Sequence, residues 1–77
     1  MILVYPNPAR NYIKVTKGNV DMEEILIFNT WGQKVFQTSL IDDFLDIRID
    51  FLEKGVYFLK VRSATEEVSL TQKLIVE

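Results

Sequence analysis

The side chains best suited to chemistry in this 77-residue chain are the carboxylates Asp42, Asp43, Asp46 and Asp50. Carboxylate oxygens are hard donors that suit calcium, but these do not follow the spacing of the known calcium loop, and no glycine among them lets the backbone wrap an ion. They read instead as solvated turn charges that blunt the edges of neighbouring apolar strands. The chain has no histidine and no cysteine. Without them there is no ordinary general base near neutral pH, no Ser-His or Cys-His triad, no zinc site and no disulfide framework. The expectation is a protein with no catalytic residue, no metal and no cofactor.

The remaining polar and aromatic residues speak for binding at most. Lys14, Lys17, Lys34, Lys60, Arg62 and Lys73 are interleaved along the sequence with acids, and the net charge is -2. That leaves no positive stripe able to release counterions from a phosphate backbone, so nucleic acid is not an expected partner. Trp31 could anchor a partner, because tryptophan is enriched in binding hot spots; packing over a sheet end is the plainer expectation. Tyr5, Tyr12 and Tyr57 read as core aromatics with wet hydroxyls.

A hydrophobic fraction of 48% with 26% charged residues can build one core and one soluble surface, so residues 1–77 are expected to form a single domain. No apolar run is long enough to span a bilayer as a helix. Met1-Ile2-Leu3-Val4-Tyr5 lacks a basic leader and stops at Pro6, too short for a signal peptide, and Met1 reads as a start residue in front of a domain excised from a longer precursor.

Positioning falls to strands. Pro6-Asn7-Pro8 fixes two backbone angles and removes two donors, ending or bending the first strand. Ile13 and Val15 share one face of a strand over Tyr12–Thr16, closed by a turn at Lys17-Gly18-Asn19. The next strand spans about Met22 to Asn29, with both faces apolar in Ile25-Leu26-Ile27-Phe28. Asn29-Thr30-Trp31-Gly32 then forms a tight turn into Gln33–Thr38, with Glu23 and Glu24 facing Lys34 across the hairpin. Ser39–Asp50 holds both a helical spacing and a strict alternation from Leu45 to Ile49, and the strand is favoured. Gly55 is expected at positive φ, opening Gly55-Val56-Tyr57-Phe58-Leu59-Lys60-Val61 with Tyr57, Leu59 and Val61 inward. A polar turn at Ser63–Glu67 leads to a last strand, Val68–Val76, with Leu70, Gln72, Leu74 and Val76 on one side. Seven short strands at even spacing predict an all-β, immunoglobulin-like sandwich of two antiparallel sheets.

Taken together, Val4-Tyr5-Pro6-Asn7-Pro8, Ile27-Phe28-Asn29 with Gly32-Gln33 and Val35, Leu52 with Gly55-Val56-Tyr57-Phe58, and Lys73-Leu74-Ile75 resemble one family. It is the C-terminal sorting domain of type IX secretion, the Por system, and the likeness runs from Leu3 to Glu77. Two departures stand out, Glu53-Lys54 where the family often has proline before the glycine and Trp31 where it has an aliphatic residue. The chain also closes on Glu77 where family members commonly end on a basic residue.

The resemblance implies a signal that directs a cargo protein through the type IX system to the cell surface or the medium. It implies as partners an N-terminal cargo domain, the translocon with its outer-membrane shuttle, and a sortase-like cysteine peptidase that removes the domain on export. It maps recognition to Pro6, Asn7, Pro8, Gly32, Gly55, Val56, Tyr57, Lys73, Leu74, Ile75 and Val76. An end strand with one open edge could accept a strand from a receptor or from a second copy of the domain. The competing readings are a structural or adhesive sandwich module of a surface protein and a carbohydrate-binding sandwich using Trp31 and Tyr12.

Overall fold

Alternating side chains and glycine-marked turns produce strands throughout the described part of the chain. A computed structural model describes residues 3–16, 24–39, 43–62 and 70–77. The strands are β1 (Leu3–Tyr5), β2 (Tyr12–Thr16), β3 (Glu24–Asn29), β4 (Lys34–Ser39), β5 (Phe44–Arg48), β6 (Gly55–Arg62) and β7 (Leu70–Val76), with no helix among the described residues. The expected turns at Lys17-Gly18-Asn19 and Ser63–Glu67 fall outside those residues, as do Met22, Glu23, Asp42, Val68 and Ser69.

The strands form two antiparallel sheets, one in the order β1-β2-β5 and the other β4-β3-β6-β7. This is the expected sandwich, with the strand order of an immunoglobulin-type domain. The ambiguous segment before Asp50 resolves as a strand. Its alternation turns Ile47 and Ile49 fully inward and Leu45 partly so, while Asp46 and Arg48 face water.

One core lies between the sheets. Ile13, Val15 and Ile47 come from the three-stranded sheet; Ile25, Ile27, Leu59, Val61, Leu74 and Val76 come from the other. Each fully buried aliphatic side chain contributes roughly 1.5 to 3 kcal/mol of transfer free energy. Tyr57, Leu59 and Val61 point inward as expected, and the seam between β4 and the turn after β5 is covered by Phe36 and Phe51, ring centroids 5.9 Å apart.

The aromatic expectations divide. Tyr57 is buried, but Tyr5 and Tyr12 stand out of phase with inward Val4 and Ile13 and are 45% and 53% exposed. Trp31 is 84% exposed at the β3–β4 turn and so does not cover a sheet end. Nor does Glu24 face Lys34: the register sets Glu24 opposite Ser39 and Lys34 opposite Phe28, with an irregularity at Ile27/Phe28. Glu24 instead accepts hydrogen bonds from Arg62 and Gln37, and Lys34 donates to Gln37.

Candidate recognition surface

The residues singled out in the sequence gather at one end of the sandwich. Asn29, Tyr57 and Leu74 lie side by side across β3, β6 and β7, and Gly55 pairs with Val76 two residues further along. The β3–β4 turn that carries Gly32 follows directly from Asn29 at that same end.

Pro6-Asn7-Pro8 reaches this end from the opposite sheet. After β1 the chain leaves β2 and lies along the outer edge of β7, where Ala9 forms a parallel bridge with Val76. Asn7 does the work of a strand residue with its side chain. Its amide nitrogen donates to the Lys73 carbonyl at 2.9 Å, and its Oδ1 accepts from the Ile75 amide at 3.1 Å. Ala9, fully buried, donates to Ile75 O at 2.8 Å and accepts from Glu77 N at 2.7 Å. Alternation along β7 leaves the Thr71 groups and the Lys73 N–H as the outward-facing remainder of that edge. The edge expected to be open is therefore capped from the Lys73 carbonyl to the Glu77 amide. Prolines suit the cap, because without N–H groups they offer a further strand fewer donors.

Each turn has its own device. Asn29 Oδ1 accepts from Trp31 N at 2.9 Å and Gln33 N at 3.0 Å, while its Nδ2 donates to Gln33 Oε1 at 3.0 Å. This Asx turn ends at Gly32, whose φ of +82° is open to glycine at little cost. Gly55 sits at φ +151°, and a Cβ at either glycine would meet nothing within 4 Å, so conformation and not space requires them. Ahead of Gly55, Tyr57 Oη donates to the Glu53 carbonyl at 2.8 Å. A tyrosine at the start of this strand bonded back to the preceding corner is a recurring feature of immunoglobulin-type sandwiches.

The sequence-selected residues thus split by orientation. Tyr57, Leu74 and Val76 belong to the core, Gly32 and Gly55 shape turns, and Pro6, Asn7 and Pro8 form an exposed rim. Val56, Lys73 and Ile75 face outward. Asn29, Gln33 and Ala9, which build the turn and the cap, were not singled out as site residues. An asparagine three positions before a glycine carries a turn signal; nothing local marks Ala9. Of the acidic stretch, Asp46 lies 4.0 Å from Lys14, and Asp50 pairs with Arg48.

The chain is an immunoglobulin-type sandwich whose distinctive residues build edges and turns. The chain belongs to the secretion system C-terminal sorting domain family, whose pattern it matches over residues 3–77. It is similar to β-agarase D of Zobellia galactanivorans, 30% identical over 95% of this chain and 14% of that protein. β-Agarase A of the same organism is 30% identical over 84% of the chain and 12% of its own length. An ulvan lyase of Nonlabens ulvanivorans is 31% identical over 95% and 14%. The chain therefore spans about one-seventh or less of these relatives. As a member of this family it is a type IX secretion sorting signal, which implies export to the cell surface or the medium, and the family acts as a signal and not as a catalyst.

Proposed function

We propose that residues 1–77 act as one non-catalytic sorting domain behind a cargo domain in a longer precursor. The type IX translocon and its outer-membrane shuttle read it as a folded shape, and a sortase-like cysteine peptidase removes it as the cargo is anchored or released. The observation that carries this reading is the convergence just described. Residues of the motif pieces more than sixty positions apart are joined directly, Asn7 to Lys73 and Ile75, beside the Gly55 corner. A linear peptide signal would not need that closure, whereas a signal recognised by shape does. The short span of the chain on its relatives supports a cargo domain elsewhere in the precursor.

The recognised surface comprises the Pro6-Asn7-Pro8 rim, the Gly32 and Gly55 turns and the outward residues Val56, Lys73 and Ile75. Tyr57, Leu74 and Val76 act beneath it by holding the strands in place. A reporter fused ahead of the chain in a type IX-competent host tests this. The fusion should appear at the surface or in the medium and lose the mass of the domain, while deleting residues 74–77 should retain it inside the cell. Full export after that deletion would overturn recognition at this end, and export without loss of mass would leave the peptidase no role.

A further inference from the structure

The outer face of the four-stranded sheet carries a charge opposite to that of the chain. Outward positions follow from the register and from the burial of their neighbours. They are Glu24, Leu26 and Phe28 on β3, Lys34 and Gln37 on β4, Val56, Phe58, Lys60 and Arg62 on β6, and Thr71, Lys73 and Ile75 on β7. Among the described strand residues this face bears Lys34, Lys60, Arg62 and Lys73 against one carboxylate, Glu24, which Arg62 already neutralises. The whole chain is at -2.

The cations surround an apolar centre. Phe28 lies directly opposite Phe58, and Phe58 opposite Lys73; one row on, Val56 lies opposite Ile75. Phe58 is 37% exposed, while Leu26, Phe28, Val56 and Ile75 are half-buried. Lys60 Nζ lies 4.9 Å from the Phe28 ring centroid, its charge held over the patch. The three-stranded sheet has no such bias, since on its outer face Lys14 lies beside Asp46, and Arg48 pairs with Asp50 at the strand end.

We propose that this face is the docking surface for a folded protein whose contact patch has an apolar centre and an Asp/Glu rim. The inference rests on the sorting-signal reading and gives its receptor a chemistry. Phe58 supplies the anchor, and Lys60 and Lys73 supply the complementary rim that steers encounter and fixes orientation. A membrane surface is the less suitable occupant. Binding to anionic lipid calls for a cluster of about four to eight basic residues, whereas here Arg62 is paired to Glu24 and three lysines around half-buried rings match the polar-rim, apolar-core anatomy of a protein interface.

The test uses the reporter fusion carrying the full chain. Lys60→Gln with Lys73→Gln should lower export roughly tenfold, as expected for two rim charges at the upper end of their usual worth, with unchanged far-UV dichroism and thermal midpoint. Lys60→Arg with Lys73→Arg should restore it, and Phe58→Ala should lower it further. Lys14→Gln with Arg48→Gln on the opposite sheet should leave export unchanged. Export of the Lys60/Lys73 glutamine variant at the wild-type level overturns the docking surface while the sorting reading stands; retention of the wild-type fusion overturns both. Purified chain is also mixed with phosphatidylglycerol vesicles. No binding is expected, and binding that the two glutamines abolish would identify a membrane as the occupant and overturn the protein partner.

Discussion

The two sheets of this domain solve the same packing problem and present opposite surfaces. Both bury an alternating row of aliphatic side chains, Ile13, Val15 and Ile47 from one and Ile25, Ile27, Leu59 and Val61 from the other. On its outer face the three-stranded sheet sets Lys14 beside Asp46 among exposed Tyr5, Tyr12 and Phe44. The four-stranded sheet concentrates cations around apolar residues and carries most of the family's motif residues. The lesson is that the core explains why the chain folds, while the proposed docking surface rests on the asymmetry of the outer faces. Pro6–Ala9 connects the two, leaving the first sheet to close the edge of the second.

The sharpest test of the division between core and surface uses one residue type in both sheets. Tyr57→Ala removes a ring that is 8% exposed, together with its bond to Glu53, and should cost roughly 3 to 5 kcal/mol, as for a core phenylalanine. A domain of this size has a total stability of roughly 4 to 12 kcal/mol, so much of the population should unfold. Tyr12→Ala, at a site 53% exposed, should change stability by no more than about 0.5 kcal/mol. Urea unfolding of the two variants measures the difference. Tyr57→Phe separates ring from hydroxyl and should cost about 1 kcal/mol. If Tyr57→Ala stays folded yet blocks export, Tyr57 is a contact residue and the division into a supporting core and a read surface is wrong there.

The tie between the sheets is the next place to break the comparison. Asn7→Ala deletes both side-chain bonds to the β7 edge and should cost roughly 1 to 3 kcal/mol. Amide hydrogen exchange localises the effect. In the wild-type chain the Ile75 N–H should be protected although it faces outward, and the neighbouring Lys73 N–H should exchange faster. In the variant, protection at Ile75 should fall while Leu74 and Val76, turned towards β6, keep theirs. Equal exchange at Ile75 and Lys73 in the wild type would mean that Asn7 does not cap this edge, leaving β7 open to a receptor strand or a second copy.

What could be read from the sequence was what alternation and turn chemistry encode locally. Ile13/Val15, Leu45/Ile47/Ile49 and Tyr57/Leu59/Val61 each announce an inward face, and Gly32 and Gly55 announce backbone that other residues resist. The exposure of Tyr5 and Tyr12 is also legible in principle, since both stand out of phase with Val4 and Ile13, and parity decides burial there over residue type. The cap was not legible, because Asn7 and Ile75 are brought together only by the pairing of β6 with β7 and by the crossing of Pro6–Ala9 between sheets. Nor was the basic face. In sequence its lysines alternate with acids, and the sheet order separates them. The partner of Glu24 is hidden for a similar reason, since hairpin spacing does not reveal the irregularity at Ile27/Phe28 or bring Arg62 alongside.

The smallest expected effect concerns that carboxylate, the one acid among the described strand residues of the basic face. Hydrogen bonds from Arg62 first and Gln37 second hold the Glu24 pKa below its ordinary value of 4.5. A carboxyl whose pKa is depressed on folding adds stability above its unfolded value and loses it as pH falls through the folded one. The contribution should therefore be complete above about pH 5 and fade below 4.5, with salt weakening it because the pair is solvent-exposed. Glu24→Gln should flatten this part of the acid limb when urea midpoints are followed from neutral pH downward at low ionic strength. It should also release Arg62 and make the outer face more basic. If Lys60 and Lys73 act by charge, export of Glu24→Gln should hold or rise; a fall would show that Glu24 itself meets the partner and that the rim is read as a mixed pattern.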